Sequence, residues 1–233
     1  DQNGEFKDGY FPLTISNAFE RRVSAAIGYL DPGTRLRNNL HISTETQVSE
    51  LLFEDTRCVG IKATVSGRPQ EFRAKEVILS CGAIHSPAML LRAGIGPVGH
   101  LRELGIDVRA ARPGVGQRLM DHPSISVASF LKPHARNNPY SKRSLHLGMR
   151  FSSGEEGLPP GDMALTASNK SAWHAIGDRI AVITVWVNKT VSEAGQVRLA
   201  SKDWRQEPEV DFNLLSDQRD LQRMMDGIRM FSA

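Results

Sequence analysis

Apolar positions follow two periods along this chain. Phe19, Val23, Ala26, Ile27 and Leu30 recur at helical spacing and predict a helix that Asp31-Pro32-Gly33 ends. A short strand is expected at Leu40-His41-Ile42-Ser43-Thr44. Three strand-like runs follow, Gln47 to Phe53, Cys58 to Val65 and Glu71 to Cys81. Glu54-Asp55-Thr56 and Ser66-Gly67-Arg68-Pro69 separate them as hairpin connections, which predicts an antiparallel meander. Val77-Ile78-Leu79 is a continuous β-branched and Leu run, a pattern suited to a strand buried on both faces. Ser86 as N-cap and Pro87 at the first helical position open a helix through Arg92, and Gly94 is placed to stop it. His100 to Leu104 predicts another helical turn, and Ile106-Asp107-Val108 another strand.

The texture changes after Asp121-His122-Pro123, so a boundary is expected near Pro123. Ile125 to Leu131, Ile180 to Val187 and Gln196 to Ala200 read as strands. Lys132 to Arg150 carries Lys132, Arg136, Lys142, Arg143 and Arg150 and no acid. Pro133, Asn137, Asn138 and Pro139 break regular structure there, which predicts a solvated loop; the alternative is a surface that attracts an anionic substrate or partner. Gly154 to Asp162 reads as a Gly/Pro-rich linker. Asp217 to Phe231 predicts a capped helix with Leu221, Met224, Met225, Ile228 and Phe231 on one core-facing side.

Composition narrows the classes. A chain of 233 residues holds one large domain or two small ones. It has no apolar run of about 18 residues, so no membrane span is expected. Asp1-Gln2-Asn3-Gly4-Glu5 lacks the basic-then-apolar order of a signal peptide and reads as a cut inside a longer chain. A net charge of +3 without a basic helix or aromatic-interleaved stripe gives nucleic-acid binding little support. Cys58 and Cys81 make neither a metal pattern nor a disulfide framework, and both read as small hydrophobes. That usage is compatible with a reducing, cytoplasmic compartment. The sequons at Asn169 and Asn188 are too short to argue for secretion.

Candidate chemistry is sparse. Gly94-Ile95-Gly96-Pro97-Val98-Gly99 has the spacing of a dinucleotide fingerprint, but a helix precedes it, and Pro97 lacks an N–H where donors are needed. Ser80-Cys81-Gly82-Ala83 is the better nucleotide candidate. Small residues admit a ligand close to the backbone, and a helix N-terminus favours phosphate; tight packing is the alternative use of such a turn. Asp121-His122 suggests acid–base work, yet a structural turn bonded to its own backbone is the preferred reading, as is a structural role for His85. Ser24 and Ser86 have no matching His/Asp set. No catalytic residue and no metal site is assigned.

Two blocks carry a resemblance: Gly82-Ala83-Ile84-His85-Ser86-Pro87-Ala88-Met89-Leu90-Leu91-Arg92-Ala93-Gly94-Ile95-Gly96-Pro97 and Pro113-Gly114-Val115-Gly116-Gln117-Arg118-Leu119-Met120-Asp121-His122-Pro123. Together they resemble the middle of the glucose–methanol–choline (GMC) flavoprotein oxidoreductases. Arg37-Asn38-Asn39-Leu40, Thr44 to Val48, Val59-Gly60-Ile61, Ala74 to Ser80, Gly195 to Ser201, Pro208 to Asn213 and Asp220 to Arg229 extend the likeness in order over most of the chain. Ala93 stands where the family usually has Ser, and Arg118 where it usually has Asn.

The resemblance implies an α+β fold. Residues 1–35 precede a portion of an FAD-binding domain at 36–122, a strand meander with short helices. Residues 123–233 are then a portion of an antiparallel-sheet substrate-binding domain. It also implies FAD as cofactor, with Val48, Ser80, Cys81 and Gly82 against its adenosine-diphosphate half. The family's glycine loop and proton-accepting His have no counterpart here, so the chain resembles an inactive interior fragment, with its own missing N- and C-terminal parts as partners. The implied parent passes hydride from the CH–OH carbon of a small alcohol to flavin N5, nearest the choline and aliphatic-alcohol dehydrogenase branch. The other expectation is a non-catalytic binding or structural module.

Overall fold

The structure is a computed structural model describing all residues except 1–3, 6, 19–20, 139, 141–142, 172–175 and 233. The strands are β1 (Gly9–Pro12), β2 (Asn17–Ala18), β3 (Arg21–Arg22), β4 (Thr46–Glu54), β5 (Arg57–Val65), β6 (Arg68–Arg73), β7 (Ile95–Gly96), β8 (Ala110–Ala111), β9 (Gln117–Leu119), β10 (Ser124–Phe130), β11 (Leu145–Phe151), β12 (Met163–Ser168), β13 (Ile180–Val187), β14 (Gly195–Arg198) and β15 (Glu209–Asp211). The helices are α1 (Ala25–Tyr29), α2 (Pro32–Arg35), α3 (Gly82–Arg92), α4 (Val98–Glu103) and α5 (Gln218–Ser232). The elements gather into two compact units. One comprises Asp1–Thr34, His122–Glu193 and Leu215–Ala233; the other comprises Arg35–Asp121 and Ala194–Leu214.

The first unit is built on an antiparallel sheet of order β1-β11-β12-β13-β10. Phe151, Met163, Leu165, Val185 and Val187 form the apolar side of that sheet and pack with Met224 of α5. The α5 helix was legible, but its inward face is rotated from the expected one. Leu221 and Met225 are 42% and 39% exposed, whereas Asp220, Arg223 and Met224 are buried. Gly227 allows the close approach, since a Cβ there would come within 2.9 Å of the Val185 side chain.

In the second unit β4, β5 and β6 form an antiparallel meander as expected, but β6 takes in Arg68-Pro69 of the expected connection and ends at Arg73, so only residues 71–73 of the expected 71–81 strand lie in it. Ala88 and Leu91 of α3, Leu101 of α4 and Leu199 make its core. Strand β14 lies between β9 and β15, so residues 194–214 belong with this unit.

Several elements depart from the periodicity. The 19–30 helix shrinks to α1, capped by the Ser24 hydroxyl accepting from the Ile27 amide, and α1 buries nothing; Phe19 lies outside the described residues. The Asp31 carboxylate accepts from the Gly33 and Thr34 amides at 2.9 and 3.2 Å, so Pro32-Gly33 starts α2 instead of only ending a helix. Leu40–Thr44 and Ile106–Val108 form no strand. Val77–Leu79 finds no strand partner among the described residues, and Ile78 is 80% exposed. Such a run forms a strand only where neighbours supply both ladder and cover.

The basic stretch is not all loop, because β11 occupies its last third and buries Arg150. Arg143 donates to the Leu13 and Leu145 carbonyls at 2.6 and 2.8 Å, so that cation serves the fold; Pro139 and Lys142 lie outside the described residues. Gly154–Asp162 is the loop of the β11–β12 hairpin, not a linker, and Asp162 is only 2% exposed. No helix among the described residues is long and apolar enough to cross a membrane.

Candidate functional site

The Ser80–Gly82 turn enters α3. The helix starts at Gly82, four residues before the expected Ser86 cap, and Pro87 lies inside it. Ser86 still serves the helix start, because its hydroxyl accepts from the Cys81 amide at 3.0 Å. Cys81 at the N-cap makes no side-chain bond to the helix. The first amides of a helix have no partner within it, so this end keeps donors directed outward. Gly82 has φ +82°, and a Cβ built there would meet nothing within 4 Å. Glycine is therefore required by backbone conformation, and its approach is open. Ser80 and Cys81 are exposed. The first turn borders a cleft lined by Ala83, Pro87, Gly116, Arg118, Met120 and Val197.

Val48 sits half-buried in β4, an edge strand of the meander. It pairs with Ala63, and a register shift follows between Val48 and Glu50. A bulge leaves backbone groups outside the ladder, while the Ser49 hydroxyl ties the bulge to the Lys62 carbonyl at 3.1 Å. A second cleft joins Ser49–Leu51 of β4 to Met89, Arg92 and Ala93. It involves the C-terminal half of α3, not the Ser80–Gly82 turn. No cleft joins Val48 to the Ser80–Gly82 turn among the described residues; the open start of α3, with its positive-φ glycine, offers backbone donors of the kind that suit a phosphate.

Arg118 has φ +62°, in the left-handed region. Asn tolerates that conformation better than a long side chain does. His122 donates through Nδ1 to the Val187 carbonyl at 2.9 Å. The bond spans 65 residues and fastens the start of β10 to the end of β13. It is thus a long-range tie, and it gives His122 a structural role. His85 approaches Glu207 at 3.6 Å on the surface.

The sequence reading passed over His100. It is buried in α4, and its Nε2 accepts from the Leu199 amide at 3.1 Å, so the ring proton sits on Nδ1, 3.9 Å from Glu103 Oε2. Burial first, and Arg198 second, hold its pKa below the ordinary His value, against weaker upward pulls from Glu103 and Glu209. The unfolded chain therefore binds the proton more readily. The His100 contribution to stability is complete above about pH 6.5 and is lost as pH falls towards the folded pKa. Melting curves from pH 7.5 to 5 should show the chain losing more stability than a His100→Gln variant, whose amide oxygen can accept the same N–H without titrating. Parallel curves for the two proteins would contradict this assignment.

With fold and site in view, the relatives become interpretable. Residues 1–124 match the GMC oxidoreductase family. The chain is 42% identical over its whole length to 5-(hydroxymethyl)furfural oxidase from Methylovorus sp. strain MP688, covering 43% of that protein. It is 30% identical to the oxygen-dependent choline dehydrogenase of Staphylococcus xylosus over 99% of the chain and 45% of the relative. Among solved structures it superposes on pyridoxine 4-oxidase from Mesorbium loti with a TM-score of 0.82, at 22% identity, over 96% of the chain and 45% of the enzyme. The chain belongs to the GMC oxidoreductase family, whose cofactor is FAD. It spans less than half the length of these relatives.

Proposed function

We propose that this chain is an interior portion of an FAD-dependent oxidoreductase acting on the CH–OH group of a small alcohol. The observation that carries the reading is the 42% identity to 5-(hydroxymethyl)furfural oxidase across the full 233 residues. Choline dehydrogenases support the same reaction class at lower identity.

In this reading Val48 and the Ser80–Gly82 turn hold the nucleotide half of FAD. The outward amides at the start of α3 face the pyrophosphate, where the helix end favours negative charge. Gly82 lets the backbone come close, and the β4 bulge at Val48 leaves main-chain groups to meet the adenine. Bound FAD would supply the hydride acceptor. The 43–45% coverage of the relatives supports a protein that continues beyond this sequence and supplies the remaining cofactor contacts and the general base. Its partners are then an alcohol and the rest of its own polypeptide. The free thiols of Cys58 and Cys81 agree with a reducing, cytoplasmic setting.

Two absorbance measurements test the cofactor part. The full reading frame containing this sequence should purify with about one flavin per chain, whereas the 233-residue chain alone should be colourless and inactive on alcohols. In the full-length protein Gly82→Val should lower flavin occupancy about 10-fold, because a branched side chain is strained at positive φ and fills the approach. Stoichiometric flavin in the short chain, or full occupancy in folded Gly82→Val, would contradict these placements. A full-length protein that binds no flavin would favour a non-catalytic module.

A further inference from the structure

The cleft at the far end of α3 has no part in the proposed function. Arg92 closes that helix, and Gly82 opens it, about 15 Å away at the α-helical rise. The cleft has a volume of about 370 Å³, which is room for a small molecule. It lies wholly within the second unit, between β4, the C-terminal half of α3, residues 106–109 and the loop that carries Lys202 and Trp204. Leu51, Met89, Ile106 and Trp204 supply its apolar lining.

Charge in this cleft is unbalanced. Arg92, Arg109 and Lys202 line it together with two acids, Glu50 and Asp107. Glu50 is engaged by Lys62 at 3.5 Å, which leaves Asp107 against three cations. Arg109 lies over the Phe53 ring, 4.3 Å from its centroid, and donates to the Asp55 carbonyl at 3.0 Å. Those contacts hold the guanidinium without neutralising it. The side chains of Arg92 and Lys202 make no hydrogen bond or ion pair among the described residues.

Arg92 is the more telling of the two. It is half-buried, and its Nε is closed off from solvent with no acceptor. Burial holds its pKa below the ordinary Arg value, against weaker upward pulls from Glu207 and Cys81. A guanidinium that loses water and gains no carboxylate keeps an uncompensated charge. The C-terminal end of α3 offsets part of it. An oxyanion in the cleft would offset the rest, and the apolar lining beside it suits a ligand that is more than a bare ion.

We propose that this cleft is a binding site for a small organic oxyanion, a carboxylate or a phosphate monoester with an apolar body about the size of one ring. The anionic head is held by Arg92 and Lys202, and the body lies against Met89, Ile106 and Trp204. Carboxylate and phosphate share this recognition, since a guanidinium donates to either through paired N–H groups. The site is separate from the Ser80–Gly82 turn and does not depend on the cofactor assignment.

Calorimetric titration of the full-length protein, as purified and at low salt, tests it with benzoate and phenyl phosphate. At least one should bind saturably, and the tighter of the two identifies the head group. Arg92→Gln and Lys202→Glu should each weaken that binding by at least about 10-fold, the loss expected for a hydrogen bond to a charged group. Flavin content should stay within about 2-fold. Lys202 is exposed, so its variant keeps the test decisive if Arg92→Gln folds poorly. Benzamide lacks the charge and inorganic phosphate lacks the ring, and each should bind at least about 10-fold more weakly. No saturable binding of either aromatic anion overturns the proposal. So does binding that both variants leave unchanged, or equal binding of benzamide or inorganic phosphate. The titration reads heat and not turnover, so a protein that oxidises no alcohol would sink the functional reading and leave this result standing.

Discussion

Arg223→Met is expected to destabilise the chain by about 3–5 kcal/mol, since removing one partner strands the charges that remain buried. Arg223 lies between Asp162 and Asp220, and all three side chains are almost fully buried. Asp162 also accepts from the Ser153 amide and hydroxyl at 2.7 and 2.6 Å. Asp220 accepts from the Val191 and Ser192 amides at 2.9 and 2.8 Å. Burial would raise the Asp220 pKa, but the Ser192 hydroxyl, those amides and Arg223 outweigh it and hold the carboxyl below its ordinary value. Arg223→Met takes the counter-charge from both buried carboxyls at once. For a chain of this size the loss should lower Tm by roughly 6–20 °C. A triple variant, Asp162→Asn with Asp220→Asn and Arg223→Met, should recover part of that loss by removing every charge. A single-variant Tm within 2 °C of the parent would show that the network does not hold α5 in place.

Gly94→Ala should be the second costly change. Gly94 ends α3 with φ +80°, and its carbonyl accepts from the Arg109 and Ala110 amides at 2.8 and 3.1 Å. An added Cβ would run into the Asp107 carbonyl oxygen, which is backbone and cannot swing aside. Left-handed strain of about 1–2 kcal/mol and overpacking of about 1–3 kcal/mol give a total of about 2–5 kcal/mol. Gly99→Ala is the matched control, because α4 has open space at that position and alanine favours helix. Chemical denaturation of both variants decides the matter: equal midpoints would contradict the steric account.

Local chemistry was legible where the cause is local. Gly94 marked the end of α3 because only the last turn and one backbone conformation are involved. The β4–β5–β6 meander was legible because alternation and turn residues act between neighbours. Other features depend on distant partners. On α5, Asp220 and Arg223 look like solvent-facing charges, yet they point inward because Asp162 and Ser192 complete their network. Strand β12, Met163–Ser168, is rich in small residues and announces itself only by pairing with β11 and β13. Val77–Leu79 shows the converse, with strand composition but no partner among the described residues. At the candidate site, the small residues of Ser80–Gly82 stood out in the sequence.

The most direct measurement is an anaerobic spectrum of the full-length, flavin-loaded protein mixed with an aryl-methanol. An FAD-dependent alcohol oxidoreductase predicts that the visible flavin band bleaches within the mixing experiment, that the aldehyde appears in equal amount, and that the band returns with an electron acceptor. A protein that carries one FAD per chain and keeps the band unbleached with aryl, aliphatic and choline substrates would contradict the account.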